Sequence, residues 1–147
     1  MKKLILVLSI LFISVVSYAQ NTEIFSNKKG AINGYDAVAY FKESKPVKGD
    51  TQFNYQWKDA NWYFSSKENL ETFKANPEQY VPQYGGYCAY GTSEGHKAPT
   101  EPDAWTIVDG KLYLNYNKDV KVLWNKNQSE LIKKADANWV ELKGKKE

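Results

Sequence analysis

Aromatic and polar residues alternate in one stretch of the chain. Phe53, Tyr55 and Trp57 are separated from one another by Asn or Gln residues. This period of two predicts a half-buried β-strand. A polar stretch at residues 58–61 then leads into a second aromatic run at residues 62–64. The pattern therefore predicts a β-hairpin with an aromatic face.

A second hairpin is predicted around Asp109 and Gly110. This pair is a favoured two-residue turn, and apolar runs flank it at residues 105–108 and 111–114. The segment at residues 34–41 is also rich in apolar and aromatic residues. We expect it to form a short strand that leads into a loop.

Helical spacing follows the first hairpin. Ser65 precedes Glu68 by three residues, which is the spacing of a capping box. Leu70 and Phe73 form an apolar pair at helical separation. These features predict a helix from about residue 66 to residue 75.

Apolar residues near the C-terminus also fall close to one helical face. They are Val120, Leu123, Trp124, Leu131, Ile132, Ala135 and Trp139. A break around residues 125–129 predicts a closing helix or a helix pair. The elements together predict an α+β fold, a compact single domain of short antiparallel β-hairpins packed with two or three helices.

The N-terminus has the pattern of an export signal. Lys2 and Lys3 precede an apolar run from residue 4 to residue 16, and a small-x-small motif ends at Ala19. The run is shorter than the roughly 20 residues that cross a bilayer. We therefore expect an exported protein, periplasmic or secreted, with no stable membrane anchor after signal cleavage.

The signal peptide sets the expected layout of the chain. The predicted segments are a signal peptide at residues 1–19, a flexible lead-in at 20–31, one domain at 32–140 and a Lys-rich tail at 141–147. Two of the 20 basic residues lie in the signal, so 18 remain against 17 acidic residues, a net charge of +1. All the basic residues are Lys, which lacks the planar group that binds phosphate and guanine bidentately. Nucleic acid is therefore not an expected partner.

Few soft metal ligands remain once the signal is removed. The only Met is Met1, which leaves one Cys, Cys88, and one His, His96. A single Cys cannot form an internal disulfide, so Cys88 is a buried inert residue, a metal ligand, a reactive thiol or an intermolecular link. The paired glycines Gly85 and Gly86 precede Cys88. If this glycine turn opens a helix, the helix N-terminus would lower the pKa of the thiol.

Other residues have a structural and a functional interpretation. His96 lies in a polar loop and is either solvated or folded back to share a metal with Cys88. Asp36 forms an Asx-type turn, or it acts as a metal ligand or an acid/base group. The rings of Tyr84, Tyr87 and Tyr90 pack around Cys88 or line a ligand site. Phosphate-loop and nucleophile-elbow motifs are absent from the sequence, and a Cys/His pair without a third orienting group does not indicate an enzyme.

Several stretches together resemble the YHS domain proteins, in their small exported form. The matching stretches are residues 34–41, residues 63–66 with Asn69, Phe73, Pro77 and Tyr80, residues 82–89, and residues 105–116. The resemblance implies metal handling through a pair of cysteines, with copper as the suspected ion. For this chain the expected cofactor, if there is one, is a copper or zinc ion. Here the two cysteine positions are occupied by Ser65 and Asn69. Any metal would instead use Cys88, His96, Asp36 or a second chain.

Three functional hypotheses follow. The first is a non-enzymatic exported binding module that resembles metal-handling YHS proteins, with Cys88, His96 and Asp36 as ligands. The second is a metal-free domain that binds a small ligand or a protein, in which Cys88 is structural. The third is a thiol-redox role through Cys88 and a partner chain.

Overall fold

The computed structural model describes residues 23–146. The predicted signal peptide at residues 1–19 lies outside these residues. Within the described part of the chain, none of the helices combines the length and the apolar character that a membrane crossing requires.

Residues 23–146 contain helices and three small antiparallel sheets, which confirms the predicted α+β fold. The sheets pair β1 (Ser26–Asn27) with β2 (Gly30–Ala31), β3 (Asp50–Trp57) with β4 (Ala60–Phe64), and β5 (Trp105–Val108) with β6 (Lys111–Leu114). The helices are α1 (Ala39–Lys42), α2 (Lys67–Ala75), α3 (Pro77–Tyr80), α4 (Ala89–Ser93), α5 (Lys118–Lys126) and α6 (Gln128–Leu142). Turns of 3-10 helix cover Ile32–Gly34 and Gln83–Gly86. The short helices α1, α3 and α4 bring the number above the two or three that were predicted.

Both predicted hairpins are confirmed. The turn between β3 and β4 has positive φ at Lys58 and Asp59, and the turn between β5 and β6 has positive φ at Asp109 and Gly110. Two consecutive positive φ angles match the right-handed twist of the flanking strands. The predicted helix at residues 66–75 and the closing helix pair are confirmed as α2 and as α5 with α6.

The predicted strand at residues 34–41 is wrong. Tyr35 forms only an isolated bridge with Lys48, and the chain then turns into α1. The physical reason is Asp36, whose carboxylate accepts the backbone N–H groups of Val38 and Ala39. Such a local hydrogen bond offers these backbone groups an alternative to strand pairing.

The prediction of a flexible lead-in at residues 20–31 is wrong for its described part. Ile24 and Phe25 are buried, and the N–H of Phe25 donates to the carbonyl of Gly85 at 2.9 Å. The strands β1 and β2 are only two residues long, too short to produce a periodic pattern. At the other end, α6 continues to Leu142, so the predicted tail begins two residues later than expected.

The buried residues form two clusters. The first packs α2 against β3, β4 and the N-terminal segments, and it is centred on Tyr40, Trp62, Phe64 and Phe73. The second packs α5 and α6 against β6 and the Gln83–Gly86 turn, and it contains Tyr84, Tyr113, Trp124 and Ala135. Of the predicted site residues, Tyr84 belongs to the second cluster and Tyr90 packs against it.

Candidate functional site

A fully buried carboxylate lies where α1, β4 and α2 meet. Asp36 Oδ1 accepts the N–H of Val38 at 2.9 Å and of Ala39 at 3.1 Å. Asp36 Oδ2 accepts three hydrogen bonds, from the N–H and the hydroxyl of Ser65 at 2.8 and 2.7 Å and from Asn69 Nδ2 at 2.8 Å. We call Asp36, Ser65 and Asn69 the Asp36 cluster.

The link between β4 and α2 positions the two donors. Ser65 directly follows β4, and Asn69 lies in the first turn of α2. The N-cap of α2 is Ser66, whose hydroxyl accepts the N–H of Asn69 at 3.1 Å. The predicted capping-box residue, Ser65, is therefore one position too early. Because Ser66 caps the helix, the Ser65 hydroxyl is free to donate to Asp36.

The Asp36 cluster does not fit a soft metal ion. Ser65 Oγ and Asn69 Nδ2 lie 3.5 Å apart, and both donate to the same carboxylate oxygen. A carboxylate offers about four lone-pair sites, and five donors already surround this one. Copper and zinc favour thiolate and imidazole ligands, whereas this cluster offers a hydroxyl and an amide beside the carboxylate. Residues 23–146 contain no group of three or more His, Cys, Asp or Glu side chains arranged to hold an ion.

Cys88 lies outside the Asp36 cluster, at the start of α4, and is 2% exposed. It is the N-cap of α4, where its sulfur accepts the N–H of Gly91 at 3.4 Å and its thiol contacts Asn115 Oδ1 at 3.6 Å. Burial raises the pKa of the Cys88 thiol, although backbone N–H groups at Gly91, Tyr116 and Tyr90 oppose this change. The glycine turn does lead into a helix, but the expected lowering of the pKa is wrong because desolvation outweighs the backbone donors.

The loop that carries His96 folds back onto α4. The N–H of His96 donates to the carbonyl of Gly91 at 3.1 Å, and its Nε2 would lie 3.2 Å from a Cβ at Gly91. The His96 side chain is exposed, and it lines a shallow pocket together with Lys97, Lys145 and Lys146. Three ammonium groups in one pocket disfavour a metal cation. The assignment of a metal to Cys88, His96 and Asp36 stays a prediction, since the structure does not gather them into one group.

Two of the three tyrosines are part of the second core cluster: Tyr84 is a member, and Tyr90 packs against it. Tyr84 and Tyr87 are buried, and Tyr90 is half-buried. The Tyr84 hydroxyl donates to Asp136 Oδ1 at 2.8 Å, and burial together with this carboxylate raises the pKa of Tyr84. The ring of Tyr87 packs against Trp139 at a centroid distance of 6.2 Å. Of the three, Tyr84 also lines an open groove, so its predicted role as a ligand contact stays a prediction.

That groove lies between the two clusters and was not found from the sequence. It encloses about 370 Å³. Its lining includes Glu23, Lys58, Glu78, Tyr84, Lys111, Asp136 and Trp139, and we call it the seam groove. These residues come from separate segments and share no motif, so only the tertiary structure brings them together.

A strained turn forms one wall of the seam groove. Tyr84, Gly85 and Gly86 have φ angles of 58°, 62° and 89°. A Cβ at Gly85 would overlap the carbonyl oxygen of Glu23. Glycine is therefore required where this turn packs against the N-terminal segment. The paired glycines singled out by the sequence were the available signal for this part of the site.

The environment of Cys88 predicts an unreactive thiol. In the folded protein we expect Cys88 to resist a disulfide reagent such as Ellman's reagent at neutral pH, and to react fully after addition of denaturant, because only the exposed thiolate is nucleophilic. Rapid stoichiometric labelling of the folded chain would contradict this.

The raised pKa of Cys88 also predicts a pH dependence of stability. Because folding raises the pKa of this thiol, its protonated form adds to the free energy of unfolding, and this contribution is fully present below the pKa of the unfolded state. This stability is lost as the pH rises through the higher pKa of the folded state, which a comparison of the unfolding free energies of the wild type and Cys88→Ala across pH measures.

Comparison with protein families gives a match in the middle of the chain. Residues 38–84 match the model of the YHS domain, a family often linked with metal handling. No curated protein and no solved structure matches the chain significantly. The matched range includes Ser65 and Asn69, and it begins two residues after Asp36. The comparison therefore shows that residues 38–84 of this chain are similar to the YHS domain.

Proposed function

We propose that this chain is a non-enzymatic, exported binding domain in which the cysteine positions of the YHS domain serve a structural, metal-free cluster. The observation that supports this most directly is the convergence of Ser65 and Asn69 on one oxygen of Asp36, at 2.7 and 2.8 Å. Export is supported by the basic residues and apolar run at residues 2–16. The ligand in this proposal is an organic molecule or a protein.

Two features favour a structural role for the Asp36 cluster. First, each Asp36 oxygen has protein donors, so this buried charge is stabilised without a bound cation. Second, the cluster joins three elements, because Asp36 leads into α1, Ser65 follows β4 and Asn69 belongs to α2. A hydrogen-bond network of this kind fixes the relative positions of the elements it connects.

The two other hypotheses depend on Cys88. Metal handling through Cys88 and His96 requires the sulfur to leave its contacts with Gly91 and Asn115. A thiol-redox role requires the same sulfur to reach a cysteine of another chain, although Cys88 is 2% exposed. The following experiment gives a different result for each of these two hypotheses.

The experiment restores the missing cysteines. We would titrate residues 20–147 with Cu(I) and Zn(II) under anaerobic reducing conditions, and with Cu(II) in the absence of reductant, and follow binding by native mass spectrometry. We expect no stoichiometric complex for the wild type. We expect a one-to-one complex with Cu(I) or Zn(II) for Ser65→Cys/Asn69→Cys, because two thiolates would then lie beside the Asp36 carboxylate.

A matched control is Ser26→Cys/Asn125→Cys, which adds two thiols at exposed positions on β1 and α5. The control should not form the one-to-one complex. A wild-type complex that disappears in Cys88→Ala would overturn the proposal in favour of metal handling through Cys88. A covalent wild-type dimer on oxidation would favour the redox role. Equal binding by the restored variant and the control would contradict the placement of the cysteine positions at Ser65 and Asn69.

A further inference from the structure

The seam groove is formed where the YHS domain meets the C-terminal helix. Glu78 and Tyr84 belong to the matched range, whereas Asp136 and Trp139 lie on α6, outside it. Its volume of about 370 Å³ lies within the range of small-molecule sites. It is therefore large enough for one small ligand, held between the two parts of the chain.

The charges around the seam groove are nearly balanced. Lys58 Nζ lies 3.0 Å from Glu23 Oε1 and 3.5 Å from Glu78 Oε1. Partial burial opposes the charge of Lys58, but the hydrogen bond and the charge of Glu23, with those of Glu78, raise the pKa of Lys58. The two remaining charged side chains, Lys111 and Asp136, have opposite signs. A strongly charged ligand therefore gains little from this groove.

The remaining groups suit a ligand with several hydroxyls. Asp136 Oδ1 is fixed by the Tyr84 hydroxyl at 2.8 Å, so this carboxylate presents a preorganised acceptor. Lys111 adds a donor, and it makes no ion pair with any residue in the described range. An apolar ligand would desolvate these groups without replacing their hydrogen bonds, at a cost in free energy.

Trp139 supplies the aromatic surface of the lining beside Tyr84, and Ile24, Val81 and Pro82 are its aliphatic residues. The Trp139 ring packs against Tyr84 and Tyr87 at centroid distances of 6.0 and 6.2 Å, which fixes its orientation. A half-buried indole offers a rigid apolar surface beside polar neighbours. Sugars present C–H groups on a ring face and hydroxyls around the edge, and this combination matches an indole flanked by a carboxylate and an ammonium.

We propose that the seam groove binds a neutral sugar of one or two rings. The inference rests on the proposed binding function and names its ligand class. It does not depend on the Asp36 cluster, since no residue of that cluster lines the groove. Failure of the sugar to bind and failure of the metal-free assignment are therefore separate results, obtained with different probes.

The test is a titration followed by amide and indole NMR signals of residues 20–147. The probes are glucose, galactose, N-acetylglucosamine, maltose and cellobiose, with glucuronate and glucosamine as charged comparisons. We expect saturable shifts for at least one neutral sugar with a dissociation constant of about 1 mM or below. The shifted signals should include the Trp139 indole and the backbone near Lys111 and Asp136.

Two conservative variants locate the site. Asp136→Asn and Lys111→Gln should each weaken binding by about tenfold or more, which corresponds to about 1.4 kcal/mol. The matched controls, Asp119→Asn and Lys126→Gln, change exposed residues outside the groove lining and should bind as the wild type does. Absence of saturable shifts with every neutral sugar would overturn the proposal, as would shifts away from the groove or tighter binding of a charged comparison.

Discussion

Asp36→Ala is expected to lower the free energy of unfolding by about 3–5 kcal/mol, the range for breaking a buried charged network by removal of one partner. The substitution leaves the N–H groups of Val38, Ala39 and Ser65, and the amide of Asn69, without their acceptor. Each buried donor left unsatisfied costs about 1–3 kcal/mol. Urea unfolding, followed by tryptophan fluorescence, measures the change.

The matched control for Asp36→Ala is Asp103→Ala. Asp103 is exposed and forms a surface ion pair with Lys118 at 3.2 Å, so its loss should cost less than about 1 kcal/mol. If Asp36→Ala does not fold, Ser65→Ala tests the same network, because it removes only the hydroxyl donor and should cost about 1 kcal/mol. Equal stability of Asp36→Ala and Asp103→Ala would contradict the structural role of the cluster.

Phe73→Ala is the second substitution with a large expected effect. The ring of Phe73 is fully buried and packs against four aromatic side chains, at centroid distances between 5.0 and 6.3 Å. They are Tyr55, Trp57, Trp62 and Phe64. Removing this ring takes away its burial and leaves a cavity between α2 and the hairpin of β3 and β4. We expect a loss of about 3–5 kcal/mol.

Urea unfolding of Phe73→Ala should show a lower midpoint with an unchanged m-value, since the unfolded state exposes a similar surface. Val122→Ala is the control, because Val122 is 55% exposed on α5 and should change stability by less than about 0.5 kcal/mol. A loss below about 1 kcal/mol for Phe73→Ala would show that α2 does not close the first core cluster as described.

The elements that local patterns determine could be predicted from the sequence. The alternation at Phe53, Tyr55 and Trp57 reflects one half-buried face of β3, and the Asp109–Gly110 pair satisfies the positive φ angles of its turn. The spacing of Leu70 and Phe73 likewise reflects the buried face of α2. In each case the determining residues are close together in the chain.

The parts that failed depend on residues distant in sequence. The segment at residues 34–41 is apolar enough for a strand, but Asp36 accepts the N–H groups that lead into α1. Ser65 and Asn69, about 30 residues later, hold the Asp36 carboxylate in that position. Ile24 and Phe25 are buried because the Tyr84–Gly86 turn packs on them. The pKa of Cys88 also depends on the tertiary structure. Burial of the thiol raises this pKa by more than the backbone N–H groups around α4 lower it.

The candidate site was predicted only in part. The glycine turn, Cys88 and Asp36 were identified as unusual, and each has a defined structural setting. The substitution of Ser65 and Asn69 for cysteines was also visible in the sequence. Their shared acceptor, however, and the five segments that form the seam groove, are properties of the tertiary structure alone.

The central claim is that Ser65 and Asn69, which occupy the positions of the expected cysteine pair, support the fold without a metal ion. Thermal unfolding of residues 20–147, measured with excess Zn(II) or Cu(I) and with a chelator, tests this most directly, because a ligand that binds only the folded state raises the midpoint. We predict the same Tm for the wild type in both conditions, and a metal-dependent rise for Ser65→Cys/Asn69→Cys. A wild-type Tm that rises with stoichiometric metal and falls with the chelator would contradict the account.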